Sequence, residues 1–228
     1  MLMRFINRQT LTGLALLTLT GCSLAPQVSE LLPQENIPVK IELSADELRK
    51  QALLTSPNAY LSTAEIVSDS LTESFTQSLA LKNSHQLEAA KQLLLSLLNQ
   101  HPEFSGIELQ LGDVAIKQQD QSTAMQHYQA AVSANPHNYY AHNRLGALQR
   151  KMGKFTEAEK SYQAAISAWP GFSDAYLNLA ILQDLYLNQK TSAVENYQIY
   201  QLINPEGNRR VKGWIRDVKR QIAQANKG

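Results

Sequence analysis

A solenoid of stacked α-helical hairpins is the fold class this sequence predicts, and three observations predict it. Proline recurs at positions 102, 136, 170 and 205, at spacings of 34, 34 and 35 residues. Four columns of residues recur at that period, which is how a repeat architecture shows itself in sequence. Glycine (10) and proline (8) are scarce across 228 residues while alanine, leucine and glutamine are plentiful, a composition that suits helices. The charge is nearly balanced, 21 Lys and Arg against 20 Asp and Glu, without the basic excess of a nucleic-acid binder, so no nucleic-acid partner is expected. One cysteine cannot build an intramolecular disulfide framework.

The chain opens with a targeting pattern. Met1 to Arg8 carries Arg4 and Arg8 and no acid, and Leu11 to Thr20 is apolar or small. Basic, then apolar, then small is the layout of a secretory signal peptide. A bilayer span needs about 20 apolar residues, and this run is roughly half that. The lone cysteine ends the run. Leu19-Thr20-Gly21-Cys22 resembles the lipobox of bacterial lipoproteins. The resemblance implies cleavage after residue 21, diacylglycerol on the Cys22 sulfur and acylation of the new amine. Each buried CH₂ of such chains contributes about 0.8 kcal/mol of membrane attachment. Ser23 stands where an Asp favours inner-membrane retention, so the resemblance implies an outer-membrane anchor with the protein on the periplasmic face.

Residues 22–43 read as a lipidated linker. Three prolines interrupt Ser23 to Leu43, and no helical period survives. Such a tether spans about 25 Å on average and reaches roughly 70 Å when extended. An alternative stays open, in which the apolar Ile37 to Leu43 docks along the domain as a strap. A helical lead-in over 44–70 follows. Ser44 and Glu47 form a capping-box pattern that predicts a helix over about Ala45 to Leu54. Ser62 and Glu65 repeat the pattern and predict a longer helix running toward Lys82.

Repeats occupy 71–205. Leu111-Gly112 recurs as Leu145-Gly146 and as Leu179-Ala180. Ala90, Ala124, Ala158 and Ala193 make a second column, Leu94, Tyr128, Tyr162 and Tyr197 a third, and Leu97, Ala131, Ala165 and Tyr200 a fourth. Gly112 and Gly146 are expected where two backbones approach closely, with Tyr128 and Tyr162 filling the space between repeats. Gly153 ends one helix, and each proline stops the second helix of a hairpin. On these columns the chain resembles the tetratricopeptide repeat (TPR) family. The resemblance implies an all-α helix-turn-helix solenoid of about four repeats. Gln77-Ser78 and Leu94 depart from the columns in the first repeat, as suits a terminal one. The fourth repeat holds one extra residue between Ala180 and Ala193, expected in the turn Leu187 to Thr191. Over 206–228, Val211, Trp214, Ile215, Val218 and Ile222 fall at helical spacing and predict a closing helix. Its surface is basic: Gly207 to Gly228 holds seven Lys and Arg against Asp217 alone, which can steer it to anionic lipid or an acidic partner.

No catalytic or cofactor motif appears. The five histidines lack metal-ligand spacing, and there is no GxSxG or phosphate-binding glycine loop. No enzyme activity, cofactor or metal is expected. The family resemblance instead implies a concave groove lined by the first helix of each hairpin. By column this groove comprises Tyr140, Asn143, Arg144, Ala147 and Arg150 in the third repeat, and Leu177, Asn178, Ile181 and Asp184 in the fourth, with Asp174 beside them. Leu109, Asp113 and Ile116 continue it in the second. Asn143 and Asn178 are expected to bond a peptide backbone, and Arg144 and Arg150 a carboxylate. Leu177, Ile181 and Leu185 form a spare apolar stripe, for a partner or for the Trp214 helix. The family's two-carboxylate clamp for chaperone tails needs a Lys and Asn set that is missing here. The expectation is a non-enzymatic, outer-membrane-anchored scaffold for a periplasmic protein assembly, pilus or secretion machinery first. The alternative is an accessory factor for peptidoglycan hydrolases, β-barrel assembly or envelope transport.

Overall fold

The computed structural model describes residues 43–62, 68–207 and 209–227. All of them belong to one compact unit, Glu42–Gly228. The signal sequence, Cys22, nearly all of the linker and Glu65 of the second expected capping box lie outside the described residues.

Eleven helices and no strand occur among the described residues: α1 (Ala45–Leu54), α2 (Ala59–Ser62), α3 (Asp69–Asn83), α4 (Leu87–Gln100), α5 (Ser105–Lys117), α6 (Gln121–Ala134), α7 (Tyr139–Lys151), α8 (Phe155–Ala168), α9 (Ser173–Leu185), α10 (Lys190–Ile203) and α11 (Arg209–Ala225). The first capping box forms as expected. The Glu47 backbone N–H donates to Ser44 Oγ at 3.2 Å, and the Ser44 backbone N–H donates to Glu47 Oε2 at 2.8 Å. Ser62 does not cap the long helix. It ends α2, with its hydroxyl donating to the Ala59 carbonyl at 3.0 Å. The long helix starts at Asp69 because Ser68 accepts from the Leu71 N–H.

Helices α3 and α4, α5 and α6, α7 and α8, and α9 and α10 pair as hairpins. Each first helix also meets the next first helix, while α4, α6, α8 and α10 make no such close pairs with one another. The stack therefore carries its first helices on the inner side. Second helices stop two residues before each repeat proline, at Gln100, Ala134, Ala168 and Ile203.

The alanine column is fully buried, at 0% exposure for Ala90, Ala124, Ala158 and Ala193. The glycine column has a different cause from the one expected. It is a ring, and not a second backbone, that crowds it. A Cβ at Gly112 would lie 2.4 Å from Tyr128 Cε1, and one at Gly146 would lie 2.8 Å from Tyr162 Cε1. Each tyrosine ring thus packs directly against the glycine of its own hairpin. The first repeat solves the same problem with smaller parts: Leu94 replaces the tyrosine, and buried Ser78 replaces the glycine, its hydroxyl donating to the Phe75 carbonyl.

Every hairpin turn holds one residue in the left-handed region: His85, Gln119, Gly153 and Asn188, with φ of 63°, 65°, 76° and 53°. In three of them the following N–H reaches back to the last helical turn, at 2.9 Å for Gln86 to Leu81, Asp120 to Ala115 and Lys154 to Gln149. The fourth closes one residue later, from Gln189 to Gln183. That longer turn, at 186–189, holds the extra residue. Closing helix α11 packs on α10 with Val211 and Val218 buried and the Trp214 ring 5.7 Å from the Tyr197 ring.

Candidate functional site

The inner face of α5, α7 and α9 is built around the three column tyrosines, whose hydroxyls end in different surroundings. In the second repeat Tyr128 donates to Asp113 Oδ1 at 2.8 Å. Asp113 also meets Arg144 Nε at 3.3 Å and Lys82 Nζ at 3.5 Å. Burial and the Asp113 charge push the Tyr128 hydroxyl far above the usual tyrosine range. In the fourth repeat the Asp184 carboxylate stands close to the Tyr197 hydroxyl, and Asp184 meets Lys190 Nζ at 2.7 Å. In the third repeat the Asp113 position is Ala147. The hydroxyl of Tyr162, a residue 0% exposed, meets no hydrogen-bond partner among the described residues. Neither does Nη1 of half-buried Arg150. Burial pushes Tyr162 up to about 12, and the Arg150 charge pulls it the other way.

The sequence-derived groove residues do not all reach one open surface. Arg144, Ala147 and Arg150 line one surface, as expected of their helical spacing on α7. Tyr140 is 46% exposed, and its ring packs on Tyr139 and Phe172, which reduces what it offers a partner. The asparagines need correcting. Asn143 is buried, and Asn178 Nδ2 donates to its Oδ1 at 3.0 Å, so the two amides bind each other across the repeats. Asp184 is likewise occupied by Lys190. Leu109 is buried in the core cluster of α5, α6 and α7. Leu177 and Ile181 pack against the last core cluster together with Trp214, so the closing end of the solenoid covers most of the apolar stripe and leaves Leu185 exposed. Asp174 is exposed.

Sequence reasoning missed Tyr60. Its ring stands edge-on to Tyr139 and Tyr140, at 5.8 and 6.5 Å. Its hydroxyl lies near the start of α5, where a Cβ on Gly106 would be 3.5 Å away. Helix α1 meanwhile packs against α10. The lead-in thus runs from the last repeat back toward the second. No local pattern marks this, because α2 is one turn long and the rings that Tyr60 meets lie about 80 residues further along the chain. Lys82 was missed for a similar reason: it reaches Gln110 and Asp113 from the first repeat. No three metal-capable side chains converge among the described residues, and none of their helices is long and apolar enough to cross a membrane.

Comparison with known proteins agrees with this architecture. The family described as the TT21 fifth ARM repeats domain matches residues 107–204. The Hsp70-Hsp90 organizing protein of Triticum aestivum is 27% identical over 148 residues, which are 65% of this chain and 25% of that protein. The chain therefore spans about a quarter of the relatives it matches. A structure from a study of Pseudomonas aeruginosa pilF superposes with a TM-score of 0.61 at 18% identity, over 68% of this chain and 69% of that one. The first TPR of Spaghetti (RPAP3), bound to an HSP90 peptide, superposes with a TM-score of 0.50 at 18% identity, over 53% and 94%. The chain has the helical-hairpin solenoid fold of tetratricopeptide-repeat structures.

Proposed function

We propose that this protein is a non-enzymatic scaffold that holds a protein partner on the inner face of its first helices, anchored to the outer membrane through acylated Cys22. One observation carries the interaction reading. The stack presents Arg144, Ala147 and Arg150 on one surface, with a guanidinium nitrogen that no acceptor among the described residues serves. Such a surface is suited to recognising and positioning a partner. Similarity to a repeat structure carrying a bound peptide supports peptide capture. The lipobox-like Leu19 to Cys22 supports the anchor. With that anchor, the reading extends to an envelope assembly of the pilus or secretion type.

A photo-crosslinking residue placed at Ala147 tests the inner face in living cells, with exposed Lys160 of α8 as the outer control. One partner should be captured from 147 and not from 160. Capture from 160 alone would overturn the inner-face reading. Cys22→Ala should move the protein from the membrane fraction to the soluble fraction; unchanged fractionation would overturn the anchor.

A further inference from the structure

The three column tyrosines give an internal comparison for what the groove binds. Two of them have a carboxylate supplied by the chain, Asp113 bonded to Tyr128 and Asp184 close to Tyr197. The third has Ala147 at the position that Asp113 holds in the second repeat. Tyr162 lies on Gly146 as Tyr128 lies on Gly112, so its hydroxyl takes the same bearing toward the residue that follows the glycine. Ala147 offers only a methyl group there. One turn further along α7 stands Arg150, where the second repeat has Ile116. Repeat three therefore sets a buried hydroxyl and a buried guanidinium N–H around the place where repeat two has a carboxylate, and supplies no acceptor to either. A guanidinium is always charged and favours planar oxygen pairs. Nearby, Lys82, Arg144 and Lys190 outnumber Asp113 and Asp184, which leaves the strip positive.

We infer that Arg150 and Tyr162 form a subsite for the side-chain carboxylate of an Asp or Glu in the partner, which takes the place that Asp113 fills one repeat earlier. This rests on the inner-face reading above and specifies the chemistry it recognises. A side chain fits better than a chain terminus, because the equivalent place in repeat two is filled by an aspartate side chain presented from a helix. The acidic residue accepts from Arg150 Nη1 and Tyr162 OH together, with Ala147 giving it room.

The test titrates short blocked peptides into the full-length chain and follows the Arg150 side chain and the Gly146 and Ala147 amides by NMR. Acetyl-Ala-Glu-Ala-amide should give saturable shifts at these groups, and acetyl-Ala-Gln-Ala-amide should bind at least tenfold more weakly. Arg150→Gln should weaken the Glu peptide by tenfold or more. Tyr162→Phe should weaken it several-fold, and this variant keeps the test sound if Arg150→Gln does not fold. Equal response to the Glu and Gln peptides, or undiminished binding by the folded variants, would overturn the subsite. Acetyl-Ala-Ala-Ala with a free terminus binding as tightly as the Glu peptide would overturn the side-chain assignment. If the subsite fails while crosslinking from 147 still captures one partner, the scaffold reading stands without it.

Discussion

The second and third repeats share one frame and differ in what they put into it. Both lay a tyrosine on a glycine, bury an alanine from the second helix and close the hairpin through a left-handed residue. In the second, the polar end of the tyrosine is tied to Asp113 and through it to Lys82 and Arg144. In the third, the same end is left to Tyr162 and Arg150 alone. The apolar columns therefore hold the fold, while the polar positions beside them decide which repeat is internally complete and which has donors to spare.

That contrast can be broken in several ways. The largest effect is expected with pH. Burial raises the folded pKa of Tyr128, Tyr162 and Tyr197 above the unfolded value. Their contribution is thus fully present below about pH 10 and is lost as pH rises through the folded values. Thermal scans should show Tm falling above that point. Tyrosinate absorbance in single Phe variants should show Tyr162, near Arg150, ionising before Tyr128, beside Asp113. The reverse order would mean the two hydroxyls are not served as described.

Removing single hydroxyls comes next. Tyr128→Phe gives up a hydrogen bond to a charged group and should cost about 2 kcal/mol in denaturant unfolding. Tyr162→Phe removes a hydroxyl without a partner and should cost close to nothing. Gly112→Ala forces the Tyr128 ring to move. Overpacking costs about 1–3 kcal/mol, partly offset by the roughly 1 kcal/mol that alanine returns as a better helix former. Gly146→Ala, with more clearance, should cost less. The turns give the smallest effects. A Cβ at Gly153 meets nothing within 4 Å, so Gly153→Ala should lose only the conformational cost, about 1 kcal/mol. Gln119→Gly at the equivalent turn should gain some tenths of that.

The repeat frame was legible because its parts recur at fixed spacing: proline, alanine, glycine and tyrosine columns are local patterns copied along the chain. The extra residue of the fourth turn could be placed for the same reason. Polar geometry was less legible. Asn143 and Asn178 sit 35 residues apart in sequence and look available until the repeats stack them together. The left-handed His85 and Gln119 were hidden because only Gly153 advertises that backbone. Tyr60 was invisible, since nothing near it foretells a landing site on Tyr139. One signal went unused. Setting the polar residues into the same columns as the apolar ones would have shown Asp113 giving way to Ala147 and Ile116 to Arg150.

The most direct test of the central claim is the Tm of Ala147→Asp, alone and combined with Arg150→Gln. The substitution supplies to repeat three the carboxylate that repeat two already has. If Arg150 and Tyr162 are waiting for an acceptor, it should add about 1 kcal/mol. Tm should then rise by roughly 2–4 °C, and the gain should vanish in the Arg150→Gln background. A folded Ala147→Asp protein with lowered Tm, or a gain that survives loss of Arg150, would contradict the claim.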